Sequence, residues 1–268
     1  MKLTKFSPVI LTLLAYLLAQ ATGTLLLFAT GLLTLPDVSI DLSSPLFPPI
    51  MMAVDIIAVL TCRLFLSDMH FPTPGDTATV KWRAGTLAIA SGMLGAIGIS
   101  VLTNDIELPD IMQQMALAMS HNLWGLLTLV IVGPLTEEIL FREAIEGGML
   151  RRGASPWTAI AVSAIAFSAA HLNLAQGLYA LPFAIILGII YYRTRNIILS
   201  SLLHILNNAI VAAQLLILGQ DIADISYTKW LGSTIAEYAF MLIACLLCAI
   251  LMKKFCDYYP LSQENDRK

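Results

Sequence analysis

Long apolar runs separated by short polar stretches organise this chain. The first extends from Pro8 to about Thr34, the second from about Pro48 to Leu66 and the third from about Ala84 to Leu102. A fourth begins near Asn122 and a fifth at Pro156-Trp157, where a proline suits the first helical turn. Gln176-Gly177 reads as a tight turn before a short sixth run to Tyr192; a seventh covers about Asn196 to Leu218 and an eighth Ser233 to Met252. About 20 apolar residues at about 1.5 Å each match the thickness of a bilayer core. The pattern therefore predicts an all-α integral membrane protein, a bundle of about eight transmembrane helices. Ala19-Gln20-Ala21 imitates a signal-peptidase site, but the apolar run continues well past it, so an uncleaved first helix is expected.

Charge placement orients the bundle. Only 12% of the 268 residues are charged and 58% are hydrophobic, against about 25% charged in a soluble domain. With a cytoplasmic N-terminus, the cytoplasmic segments hold Lys2, Lys5, Arg63, Lys81, Arg83, Arg142, Arg151, Arg152, Arg193, Arg195, Lys253, Lys254, Arg267 and Lys268, and the opposite side only Lys229. That asymmetry follows the positive-inside rule, and one span added or removed would scramble it. Both termini are thus expected in the cytoplasm. The outer loops are acidic, with Asp37, Asp41, Asp105, Glu107, Asp110, Asp221 and Asp224, and a polar tail runs from Asp257 to Lys268. Cys62, Cys245, Cys248 and Cys256 form no disulfide framework; Cys245 and Cys248 have CxxC spacing in an apolar run, where a thiolate is disfavoured, and read as packing residues. No repeat or soluble domain interrupts the pattern, and nothing points to nucleic acid, so function sits in the bundle or its short loops.

The fourth run is the anomaly. Gly133-Pro134-Leu135-Thr136-Glu137-Glu138-Ile139-Leu140-Phe141-Arg142 places two adjacent carboxylates and a guanidinium inside it. An ionised residue at the centre of a span costs roughly 2.5–3.5 kcal/mol on an insertion scale, so these groups need partners inside the bundle and mark a functional site. The other strongly polar residues within spans are Asp55, His171, His204, Asn207, Asn208 and Glu237. Glu138 and Arg142 are one turn apart, as are Phe167 and His171, and His204 and Asn208. Measured from the cytoplasmic side at about 1.5 Å per residue, Glu137 and His171 lie about 22 Å deep and His204 about 13 Å.

Peptide hydrolysis needs a base for water and donors for the oxyanion. Glu137 suits the base, His171 its partner in handling the proton of that water, and His204 with Asn208 the oxyanion donors, with Glu138 and Arg142 as an orienting ion pair. A zinc version would use His171, His204 and Glu137 as ligands, although HExxH is absent; the cofactor is either none or one divalent metal. There is no Ser or Cys nucleophile with an adjacent base, nor a second intramembrane Asp to pair with Asp55. Taken singly, each residue has a plainer reading: a packing histidine, a core Phe167, an Asn208 bridging helices, and Asp55 or Glu237 beside a polar cavity or a span end. Two adjacent carboxylates in hydrocarbon have no such structural reading.

Glu137-Glu138-x3-Arg142, Phe167-x3-His171 and His204-x3-Asn208, in this order, resemble the CPBP family of intramembrane proteases, which contains type II CAAX prenyl endopeptidases and bacterial bacteriocin-processing and self-immunity proteins. The likeness covers about Asn122 to Ala212 and includes Gly188-Ile189-Ile190-Tyr191-Tyr192-Arg193-Thr194 and Ser201-Leu202-Leu203-His204-Ile205-Leu206-Asn207-Asn208. It implies an eight-helix bundle in which Glu137 activates water beside His171, His204 and Asn208 stabilise the oxyanion, and Glu138 with Arg142 supports them. Glu143 departs from the pattern, since a small glycine commonly follows the motif's arginine. The chain thus divides into residues 1–121 without a recognised motif, a catalytic core over 122–218, and a last helix with tail over 219–268. The expected activity is an intramembrane endopeptidase, in a bacterial inner membrane, acting on a membrane-associated or lipidated peptide; substrate and oligomeric state are left open. The rivals are a non-enzymatic immunity or binding protein, and a proton-coupled transporter, which should carry repeat symmetry that the first three spans lack. Cytoplasmic loops at Arg63 to Arg83 and Arg142 to Pro156 are expected to help select the substrate.

Overall fold

The computed structural model describes residues 4–35, 39–73, 77, 80–104, 106, 113–219, 221 and 226–260. Helix α1 (Ser7–Ala29) leads into two two-residue strands, β1 (Leu33–Thr34) and β2 (Ser39–Ile40), paired antiparallel with Leu33 opposite Ile40. Then follow α2 (Phe47–Phe65), α3 (Trp82–Asn104), the short α4 (Gln113–Ser120), α5 (Leu123–Arg151), α6 (Pro156–Ala170), α7 (Leu174–Thr194), α8 (Ile198–Leu218), the short α9 (Tyr227–Leu231) and α10 (Thr234–Tyr258). Seven of these, α1, α2, α3, α5, α7, α8 and α10, are long and apolar enough to span a bilayer. Their outward faces carry bare apolar side chains such as Leu64, Ile217 and Ile235, each at least 80% exposed. A belt of this kind is a liability in water and an ordinary surface in lipid. The protein is a multi-pass, all-α membrane protein.

The fifth run is the short one. Helix α6 has 15 residues, about 22 Å at 1.5 Å each, which is less than a bilayer core. The turn lies at His171–Asn173 rather than at Gln176-Gly177, which falls inside α7. Asn173 explains the difference: its side chain accepts the Ala175 N–H and caps α7, and Leu172 takes a positive φ of 51° to reverse the chain. The expected starts near Asn122 and Pro156 hold. The Asn122 side chain accepts from Trp124 and Gly125, and Ser155 caps the Pro156 helix through Thr158.

Small residues set the helix contacts, as expected where no hydrophobic effect separates helix from lipid. Helix α3 packs on α10 through Gly95 and Gly98: a Cβ at Gly98 would come within 2.6 Å of Cys245 Sγ, and one at Gly95 within 3.1 Å of Cys248 Sγ. The CxxC cysteines are therefore packing residues opposite glycines. Ala19 is fully buried and Ala19-Gln20-Ala21 lies in the middle of an unbroken α1.

Arg142 to Pro156 is not a loop. Helix α5 continues to Arg151, burying Arg142, Glu143 and Glu146, so Arg142 leaves the tally of cytoplasmic charges. Glu143 Oε1 accepts from Arg151 Nη1 at 2.6 Å and from the His70 backbone N–H at 2.9 Å, while Tyr191 donates to its Oε2 at 2.6 Å. Asp68, after α2, pairs with Arg152 at 2.9 Å and Arg151 at 3.5 Å. Partial burial opposes ionisation of Asp68, but the Arg152 hydrogen bond and the charges of both arginines outweigh it and hold the carboxyl below its ordinary range. The α2–α3 segment is thereby pinned to the end of α5. Of the charges expected outside the spans, Lys2, Asp37, Asp105, Glu107, Asp110, Asp224, Arg267 and Lys268 lie outside the described residues, as does the tail from residue 261.

Candidate active site

Helix α5 changes register twice, in π-helical segments at Thr128–Val132 and Glu138–Gly147. The first ends at Gly133, whose N–H reaches back five residues to the Thr128 carbonyl; a Cβ there would sit 2.9 Å from that oxygen. Pro134 follows and has no N–H to give, which leaves Leu129 O available. Asn208 of α8 fills the gap, donating from Nδ2 to Leu129 O at 3.0 Å. Such π segments concentrate at functional sites, and this one fixes both the approach of α8 and the aim of the two glutamates that follow, Glu137 and Glu138.

The two glutamates face different surroundings. Glu138 is fully buried: its Oε2 lies 3.5 Å from Arg142 Nε, and its Oε1 lies 3.1 Å from His204 Nδ1. Glu137 is a third exposed, opens on a cavity, and has its Oε2 3.5 Å from His204 Nε2. One imidazole therefore spans both carboxylates, and His204 lies at the level of Glu137, not well below it as residue counting gives. As an imidazolium the ring gives its Nδ1–H to Glu138 and turns its Nε2–H toward Glu137 and the void.

Phe167 is the hub beneath this group. Its ring meets His171 at 4.8 Å, Phe141 at 5.3 Å and His204 at 5.7 Å between centroids, and the Arg142 guanidinium lies over it at 4.7 Å. Phe183 packs edge-on against His204 at 5.8 Å. His171 ends α6, its Nδ1 2.9 Å from the Phe167 carbonyl.

Glu137, His171, His204 and Asn208 line one cavity of about 630 Å³. Glu138 and Arg142 stand behind it. Asp55 lines the same cavity, whereas Glu237 is buried at the start of α10 and accepts from Thr228. Reading the sequence missed Tyr16 and Gln20 of α1 and Tyr179 of α7, all lining residues. The one-turn spacing of Tyr16 and Gln20 is the same signal that marks the other pairs. Tyr179 donates to Asn207 Oδ1 at 2.8 Å, Asn207 Nδ2 to Asn208 Oδ1 at 3.4 Å, and Asn208 to Leu129 O. This chain fixes the orientation of the Asn208 amide.

A zinc site would need three donors converging on one point. Among the described residues no three His, Cys, Asp or Glu side chains form such a group. The residues present do not fit a preformed His171, His204 and Glu137 ligand set. What they offer is a cavity-facing carboxylate, an imidazole held by a buried ion pair, and an oriented amide donor, which suits addition of water to a carbonyl.

No curated protein and no solved structure matches the chain. A family model does: residues 119–210 match Type II CAAX prenyl endopeptidase Rce1-like. That span contains all of Glu137, Glu138, Arg142, His171, His204 and Asn208, so these six lie in the segment that matches a CAAX endopeptidase domain, a protease domain, whereas Tyr16, Gln20 and Asp55 reach the cavity from outside it.

Proposed function

We propose that the protein is an intramembrane endopeptidase in which Glu137 activates water for attack on a peptide carbonyl. The observation that carries this reading is the shared cavity: a partly exposed carboxylate, two histidines and an oriented asparagine face one void in the membrane-spanning part of the bundle. Glu137 takes a proton from water as the oxygen adds to the scissile carbon. His171 helps to hold the water. The developing oxyanion is met by His204 Nε2–H and by the second N–H of Asn208, whose first is committed to Leu129. Glu138 and Arg142 touch no substrate in this scheme; they anchor His204. The remaining walls carry Met51, Met115, Met119 and Leu215, an apolar surface suited to a lipidated or membrane-associated peptide. The proposed setting is the plasma membrane of a bacterium, with the N-terminus cytoplasmic.

The test is cleavage of a quenched peptide library, prenylated CAAX-type peptides included, by the full chain in nanodiscs. Wild type is expected to cleave a subset, His171→Ala to lose that cleavage, and a strong chelator to leave it intact. Chelator loss reversed by zinc would replace the proton-handling role of the histidines with ligation, and a wild type inert across the library would refute the proteolytic reading.

The hydrogen-bond chain makes a finer prediction. Tyr179→Phe removes one donor and frees the Asn207–Asn208 amides to rotate. A hydrogen bond of about 1–1.5 kcal/mol predicts about a tenfold fall in kcat with KM little changed, read from steady-state kinetics. A rise in KM at constant kcat would place Tyr179 in substrate binding instead.

A further inference from the structure

The N-terminal helices, outside the matched domain, bring a second acid to the cavity. Asp55 lies on the α2 face that also presents Met51, Val54 and Ala58 to the void. Its Oδ2 comes within 3.9 Å of where a Cβ on Gly133 would stand, one helical turn before Glu137. The two carboxyls interact electrostatically, and both also act on Tyr16 of α1, whose hydroxyl is tied to the Ala170 carbonyl at 3.0 Å. Among the described residues, Asp55 has neither a hydrogen-bond partner nor an ion-pair partner. A carboxyl placed in a membrane bundle without a partner is costly to keep, and this one opens on the cavity. Glu137, by contrast, has His204 beside it. The two acids thus enter the cavity from separate helices, one supported and one free.

We propose that Asp55 is the general acid of the reaction, protonating the amine that leaves as Glu137 activates the water. This rests on the proteolytic reading above. The scheme starts with Glu137 as the carboxylate and Asp55 as the carboxylic acid. A water proton passes to Glu137 as the C–O bond forms. The C–N bond then breaks, its electron pair stays on nitrogen, and that nitrogen takes the Asp55 proton. The products are a carboxylic acid and an amine, and transfer of the proton from Glu137 back to Asp55 through water restores the start.

The leaving group separates this role from a structural one. A peptide amide needs a proton on its departing nitrogen, whereas a nitrophenyl ester of the same acyl sequence expels a stable phenolate without one. Loss of a general acid costs about 10²–10⁴-fold. Asp55→Asn in the full chain is expected to lose about 10²-fold or more in kcat on the amide and less than about tenfold on the ester. Asp55→Glu, which keeps the acid, is expected to recover amide cleavage, and Glu137→Gln to lose both substrates. Equal losses on both substrates in Asp55→Asn without recovery in Asp55→Glu, or wild-type amide cleavage by Asp55→Asn, overturn the proposal and leave the Glu137 reading standing. A wild type that cleaves neither substrate removes both.

Discussion

Glu137→Gln is expected to abolish peptide cleavage, with kcat lower by about 10²–10⁴-fold and thermal unfolding in detergent or nanodisc close to wild type. The substitution keeps the shape and removes the group that accepts a proton from water. Little stability should be lost, because Glu137 is partly exposed to the cavity and its ion-pair contact is a single one, with His204 at 3.5 Å. The adjacent Glu138 offers no substitute base: it is fully buried, with one oxygen toward Arg142 and the other toward His204. Two carboxylates adjacent in sequence thus differ in setting, one open to the cavity and one locked behind it. Turnover that survives Glu137→Gln within about tenfold would reject water activation by this residue.

The elements of the bundle were largely legible as apolar runs, because spanning helices must hide their own backbone and show an apolar face. The errors arise where a local cue competes with another contact. Gln176-Gly177 resembles a turn, yet the chain reverses earlier, at His171–Asn173, because the Asn173 side chain accepts the Ala175 N–H and starts α7 there. The glutamine and the glycine then fall within the first turn of that helix. Glu143 and Glu146 read as loop charges because nothing local shows what surrounds them. Glu143 is held by Arg151, Tyr191 and the His70 backbone, none of them within one turn of it.

The site divides the same way. Contacts along one helix follow from spacing, so the Glu138–Arg142 pair and the Phe167–His171 contact were readable. Contacts between helices were not. That His204 bridges both glutamates depends on how α5 and α8 cross, and that Asn208 meets Leu129 O depends on a π segment, which a regular helical period does not contain. Asp55 was visible as a lone acid, but only the fold places it on the same cavity as Glu137.

Arg142→Ala is expected to be the most destabilising single change in the site, by about 3–5 kcal/mol, because it strands a buried carboxylate. Arg142 is fully buried, 3.5 Å from Glu138, and its guanidinium lies over Phe167. Loss of activity alone would not reveal whether the pair serves folding or chemistry. The double variant Glu138→Gln/Arg142→Met does: with both charges gone and the volume nearly kept, unfolding should return toward wild type, since replacing a buried ion pair by apolar groups is often neutral or stabilising. Cleavage should stay low, because His204 Nδ1 no longer faces a carboxylate and its Nε2 is no longer held toward Glu137. Stability recovered without activity supports an anchoring role for the pair. Recovery of both would show that the pair serves the fold alone, and that His204 keeps its place by packing between Phe167 and Phe183.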